Sequence, residues 1–224
     1  METPVTLVYW NCRGRAEKIR HLLEYCKLPY TQNIYDTSTD GMKWFGEDKP
    51  KMMELNAAAN LPYLQDNDKI ICESDAICIY ICHKSKKVQL LGRNPDEWVN
   101  SATVHGVFKD FHRAYIKLVY SKYENDDAFK TALKQSVTDF EPHLKKLNGL
   151  LGDKQFIAGE ITWVDFVVAD FIQTLGLLCE EYLKPFPKLA EHQKRVWGLP
   201  ELKDYFSSDR YCERPCNGPS AAWK

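Results

Sequence analysis

The residues best equipped for chemistry lie close together near the start of the chain. Within Tyr9-Trp10-Asn11-Cys12-Arg13-Gly14-Arg15 stand a phenol, a thiol and, at Arg15, a guanidinium at the mouth of a helical stretch. A phenolic O–H donates a hydrogen bond, and a guanidinium cannot lose its charge. A thiol near a helix start can become a thiolate nucleophile. Two plainer readings stand beside these: Tyr9 as a core aromatic with a satisfied hydroxyl, and Arg15 as a solvated arginine. Further along, Asn60-Leu61-Pro62-Tyr63-Leu64 sets a proline where a strand is about to begin, although proline lacks the donor that a strand interior needs.

Other chemistries find less support. The eight cysteines are best read as reduced thiols, and the pairs Cys78/Cys82 and Cys212/Cys216 have three residues between them, so neither is a C-x-x-C redox or zinc pair. The six histidines form no metal-ligand spacing, so no metal is expected. A net charge of −1 offers no electrostatic footprint for nucleic acid or an anionic membrane. No apolar run reaches the ~18 residues of a membrane span, and the first residues lack a secretory pattern. The expectation is a cytoplasmic protein.

These residues need a frame. Residues 5–9 read as a buried strand; Ala16, Ile19, Leu22, Leu23 and Cys26 form a helical stripe; residues 30–35 read as a second strand. Residues 36–59, rich in charge, read as a long irregular loop of functional kind. Two short strands, 62–65 and 69–72, flank an Asp66-Asn67-Asp68 turn, and a helix starts with Ser74 as N-cap. From Trp98 onward only helical periods occur, over 98–123, 126–148, 162–179, 187–197 and 199–206. The fold class is therefore α/β plus all-α, with a first domain over 1–87, a linker over 88–94 and a helical domain over 95–224. Thr162 with Asp165, flanked by Ile161 and Phe166, reads as a capping box with a hydrophobic staple, so Asp165 is structural.

The stretches YWNCRGRAEKIRHLLEY, NLPYL with ESDAICIYI, and FIAGEITWVDFVVADF occur in the order and spacing of a cytosolic glutathione transferase. The chain resembles that family from end to end. The Tyr9-Trp10 pair and the terminal RPCNGPSAAWK resemble its mu class most. The resemblance implies a thioredoxin-like first domain, a homodimer, and conjugation of glutathione to small hydrophobic electrophiles as detoxification. Glutathione is then a co-substrate, and no cofactor is implied.

The resemblance also assigns roles. Tyr9 would donate to the glutathione sulfur, with Arg15 as a second stabiliser of the thiolate. Pro62 would be cis and turn the backbone of Leu61 toward the cysteinyl unit. Glu73 and Ser74 would hold the γ-glutamyl end, joined by Asp110 from across a dimer. Trp44, Lys49 or Lys51, and Asn60 would meet the glycyl carboxylate. Trp10 would wall the site, and Tyr120 would face the electrophile. Three positions depart from mu sequences: Arg15 resembles the alpha class, Glu73 replaces a glutamine, and Asn56-Ala57-Ala58-Ala59 lacks the aromatic that keys into a partner. A sigma-like relative is the neighbouring assignment. Alternatives in function are a thiol transferase using Cys12, a prostaglandin-type isomerase, and a non-catalytic ligand-binding member.

Overall fold

Strand β1 (Val5–Trp10) buries Val5, Leu7, Val8 and Tyr9. A strand covered on both faces belongs inside a sheet. The four strands run in the order β2-β1-β3-β4. β2 (Tyr30–Tyr35) pairs parallel to β1, with Tyr9 beside Ile34. β3 (Tyr63–Asp66) runs antiparallel to β1, with Val8 beside Tyr63, and β4 (Lys69–Cys72) antiparallel to β3. The structure is a computed structural model, and it describes residues 3–224.

Helix α1 (Glu17–Cys26) connects β1 to β2 and turns its apolar stripe inward, with Ile19, Leu22 and Leu23 fully buried. Helix α4 (Ser74–Lys84) follows β4 and buries Ile77, Cys78, Ile81 and Cys82. Between β2 and β3 the chain is not the irregular loop that its composition suggests. It forms α2 (Gly41–Lys43), a π-helical turn (Trp44–Asp48) and α3 (Lys49–Leu55). These helices bury only Trp44, so the apolar stripe by which a helix is read from sequence is missing.

The chain divides into two units. The first runs up to Val88 and takes back Pro200–Pro219, together with Lys224. The sequence reading left that return segment in the helical domain, because its helical period resembles what precedes it. The return is held by specific bonds. The Tyr205 hydroxyl, on α9 (Lys203–Phe206), donates to the Glu17 carboxylate at 2.8 Å. The Arg13 and Gly14 N–H groups donate to the carbonyls of Pro215 and Cys216 at 3.0 and 3.1 Å.

The second unit comprises Gln89–Leu199 and Ser220–Trp223. Its long helices are α5 (Pro95–Tyr120), α6 (Asp126–Leu151), α7 (Trp163–Leu178) and α8 (Pro187–Trp197). Asn94 and Asn125 cap α5 and α6 by accepting from the N–H groups of Glu97 and Ala128. Helix α7 is the axis of this core, and Phe171 on it packs edge-on against Phe108, Phe111 and Tyr115. The capping box of Thr162 and Asp165 is present, and Asp165 also accepts from the Ile157 N–H and from His192 Nε2, both at 2.8 Å. Every bond of that carboxylate ties structure together. Among the described residues no helix is long and apolar enough to cross a membrane, and no group of three or more side chains is set to hold a metal ion.

Candidate active site

The sheet topology gathers the predicted residues of the first unit at one end. β1 and β2 finish there, β3 begins there and β4 finishes there. Tyr9 and Trp10 therefore share an edge with Leu61-Pro62 and with Glu73-Ser74. Asp110 and Tyr120 lie on α5 of the second unit. Asp110 is exposed and accepts from Arg113 at 3.2 Å, while Tyr120, at the end of the helix, is 38% exposed.

Tyr9 is 8% exposed, and its hydroxyl accepts the backbone N–H of Arg15 at 3.1 Å. An oxygen so used as an acceptor keeps its own O–H as a donor. Gly14 makes the arrangement possible. Its φ is +42°, and a Cβ there would lie 2.4 Å from the Tyr9 hydroxyl oxygen. The chain at this point needs a residue that tolerates left-handed backbone and has no side chain. The Arg15 side chain is exposed to solvent at the same loop.

Cys12 lies in that loop and does not suit nucleophilic work. It is 3% exposed, and burial pushes its thiol up to about 12 despite the opposing charge of Arg20. A thiol so placed stays protonated near neutral pH.

Around the edge, aromatic rings form a wall. Trp10 meets Tyr35 at 5.7 Å and the largely exposed Phe45 at 6.1 Å between centroids. Trp44 stacks on Tyr63 at 6.2 Å and meets Tyr35 edge-on at 5.5 Å. At 1% exposure, Trp44 leaves at most its indole edge for a ligand. Lys49 is half-buried and Lys51 exposed, both on α3, and Asn60 is exposed. The Leu61–Pro62 peptide bond is cis.

The start of α4 differs by one residue from the sequence reading. Glu73, not Ser74, occupies the N-cap position, and its side chain does not cap the helix. Ser74 is the first helical residue and is buried. Glu73 takes φ 68° and ψ 121°, which no bulky L-residue adopts without strain. No local sequence signal announces that backbone; a glycine there would have. The helix thus opens with N–H groups that no side chain caps, a setting suited to a carboxylate.

Beneath the loop lies a charged cluster that sequence reasoning missed. Glu17, fully buried, accepts from Arg20 at 2.9 Å and from Tyr205 at 2.8 Å, and pairs with His21 at 3.2 Å. Burial alone would push the Glu17 carboxyl up. The hydrogen bond and charge of His21, with the charges of Arg20 and Arg13, outweigh it and hold the group well below the usual carboxylate range. Arg20 also donates to the Cys12 carbonyl at 3.2 Å, so the cluster fixes the loop from below. Glu17 and Arg20 fall one helical turn apart in the sequence, a spacing that signals pairing but not burial.

Two family models match the chain: the glutathione S-transferase N-terminal domain over residues 5–83 and its C-terminal domain over residues 109–209. Glutathione S-transferase Mu 2 of Homo sapiens is 31% identical over 226 residues, covering 98% of each chain. The crystal structure of the glutathione S-transferase Blo t 8 superposes with a TM-score of 0.81 at 25% identity, covering 96% of this chain and 98% of that one. Rat hPGDS complexed with a quinoline superposes with a TM-score of 0.73 at 27% identity, covering 91% of this chain and 96% of that one.

Proposed function

The chain belongs to the glutathione S-transferase family, and on that premise we propose that it conjugates glutathione to small hydrophobic electrophiles with Tyr9 as the catalytic residue. A free thiol has a pKa of ~8.5 and is mostly protonated at neutral pH. The Tyr9 O–H donates to the sulfur and favours its anion, and the exposed Arg15 guanidinium adds charge beside it. The observation that carries this reading is the Arg15 N–H to Tyr9 bond, which orients the phenol with its oxygen as acceptor.

The remaining roles follow the chemistry of the glutathione ends. The uncapped start of α4 takes the γ-glutamyl carboxylate, Ser74 adding its hydroxyl and Glu73 accepting from the ammonium. The backbone of Leu61, ahead of Pro62, pairs with the cysteinyl unit as a strand would. Lys49 or Lys51, Asn60 and the indole edge of Trp44 meet the glycyl carboxylate, and Trp10 walls the site. Asp110 reaches the same ammonium from a second copy in a homodimer, and Tyr120 faces the electrophile. The exposed Met42, Phe45 and Leu55 supply apolar surface for such pairing. The setting is cytoplasmic detoxification, with glutathione as co-substrate and no cofactor. Thiol transfer through Cys12 fits less well, because that thiol is buried and its pKa raised.

The test is spectroscopic. Saturating the protein with glutathione near pH 7 should produce the ultraviolet absorbance of a thiolate. Its absence, with glutathione shown bound by calorimetry, would remove Tyr9 activation. Conjugation of an aryl halide, set beside an enone, a hydroperoxide and a prostaglandin endoperoxide, would separate transferase from isomerase. Sedimentation of the protein reports the dimer.

A further inference from the structure

Helix α4 carries an acid where a bound carboxylate would least tolerate one. Asp75 lies in its first turn, directly after Ser74. A carboxylate there can turn back on the open N–H groups of the helix start, and its charge repels an anion held by them. One oxygen of Asp75 is engaged elsewhere. Lys18 Nζ, on α1, faces Asp75 Oδ1 across 3.5 Å. Lys18 is 8% exposed, and a lysine is almost never so buried unless it is paired. The Asp75 side chain keeps a third of its surface in water, at 33% exposure. The pair therefore costs more on the lysine side, and a role for the lysine is the thing to explain. Helix α1 follows directly on the loop whose Arg15 N–H holds the Tyr9 hydroxyl. One ion pair thus ties the loop of the phenol to the start of α4.

We propose that Lys18 is a positioning residue for glutathione: its ammonium draws the Asp75 carboxylate toward α1 and offsets its charge, which keeps the first amides of α4 open to the γ-glutamyl carboxylate. This role rests on the proposed γ-glutamyl site at α4 and names the group that maintains it. Lys18 touches no substrate and acts through Asp75. Without the ammonium, Asp75 becomes a competitor. Its carboxylate is an intramolecular anion beside the same N–H groups, and the positive end of the helix favours it as it favours the ligand. Glu73 is spared this conflict, because its charge answers the ammonium of the ligand rather than the carboxylate.

The test is a set of variants of the full chain titrated with glutathione by calorimetry and assayed with an aryl halide. Lys18→Met suits a buried site and leaves no buried charge unpaired, since Asp75 retains water. It should weaken glutathione binding about tenfold, the scale of one charge at a helix start. The loss should appear in KM for glutathione, with kcat at saturation falling far less. Lys18→Arg keeps the charge and should keep most of the affinity. The decisive variant is Lys18→Met with Asp75→Ala, which removes the competitor as well and should restore affinity. A purely structural ion pair would not behave so, because losing both members would leave binding as weak as losing one. Unchanged affinity in Lys18→Met, or a double variant as weak as the single one, would overturn the role of Lys18 while wild-type binding stands. A wild-type protein that binds no glutathione would instead sink the proposed function, and this role with it.

Discussion

The backbone N–H of Arg15 donates to the hydroxyl oxygen of Tyr9 across 3.1 Å. One amide therefore sets the direction of the phenolic proton, and the side chain of the same residue supplies positive charge outside. Tyr9→Phe keeps the ring and removes the donor. The expected result is a fall in kcat of about 10²-fold, the scale of one lost transition-state donor. The thiol of bound glutathione should titrate higher, with its dissociation constant little changed. A pH–rate profile identical to the wild type would exclude Tyr9 from the mechanism.

Gly14→Ala should injure both stability and activity. The added Cβ would fall on the Tyr9 hydroxyl, and φ +42° disfavours any side chain. The backbone contribution alone is about 1–2 kcal/mol. Denaturant midpoints and kcat should fall together; a variant with wild-type values of both would show that the loop relaxes freely.

Glu73→Gly should separate stability from binding. Relief of the strained backbone at φ 68° should stabilise the protein by about 1 kcal/mol, and glutathione affinity should fall as the carboxylate is lost. Thermal unfolding and calorimetric titration of the same variant measure the two effects. A loss of stability would show that the conformation is not strained.

The Glu17 cluster predicts an acid limb to stability. The folded carboxyl is held below its ordinary value of 4.5, so the stability it contributes is fully present above that pH. It is lost as pH falls toward the folded value. Glu17→Gln should destabilise at neutral pH by about 3–5 kcal/mol, because Arg20 is then left buried without its charge partner. The variant should also lose less stability than wild type between neutral and acid pH. Equal acid slopes in urea unfolding would remove the cluster as the cause.

Much of this was legible from residue types. The Thr162–Asp165 box was readable because every member lies within one turn. The strand starting at Tyr63 was readable because the turn at Asn67 announces it, and Asn67 does take φ 51°. Other features were not. The turn of π-helix at Trp44 has no distinct period, and α3 has no buried face to mark it. The α4 start was misplaced by one residue because Ser74 is a better N-cap by type than Glu73, and type cannot reveal a residue held against its backbone preference. The pairing of Tyr205 with Glu17 spans most of the chain, beyond any local pattern. The assignment of Tyr9 as more than a core aromatic came from the ordered match of three stretches to one family.

The discontinuity of the first unit has a practical corollary for anyone dissecting this protein. A gene truncated after Val88 would encode the sheet and its helices yet omit the phenol of Tyr205 that satisfies Glu17, and the two carbonyls that quiet the amides of Arg13 and Gly14. Such a fragment should not accumulate as a folded species. Fused back through a short linker to residues 200–219, it regains the missing clasp.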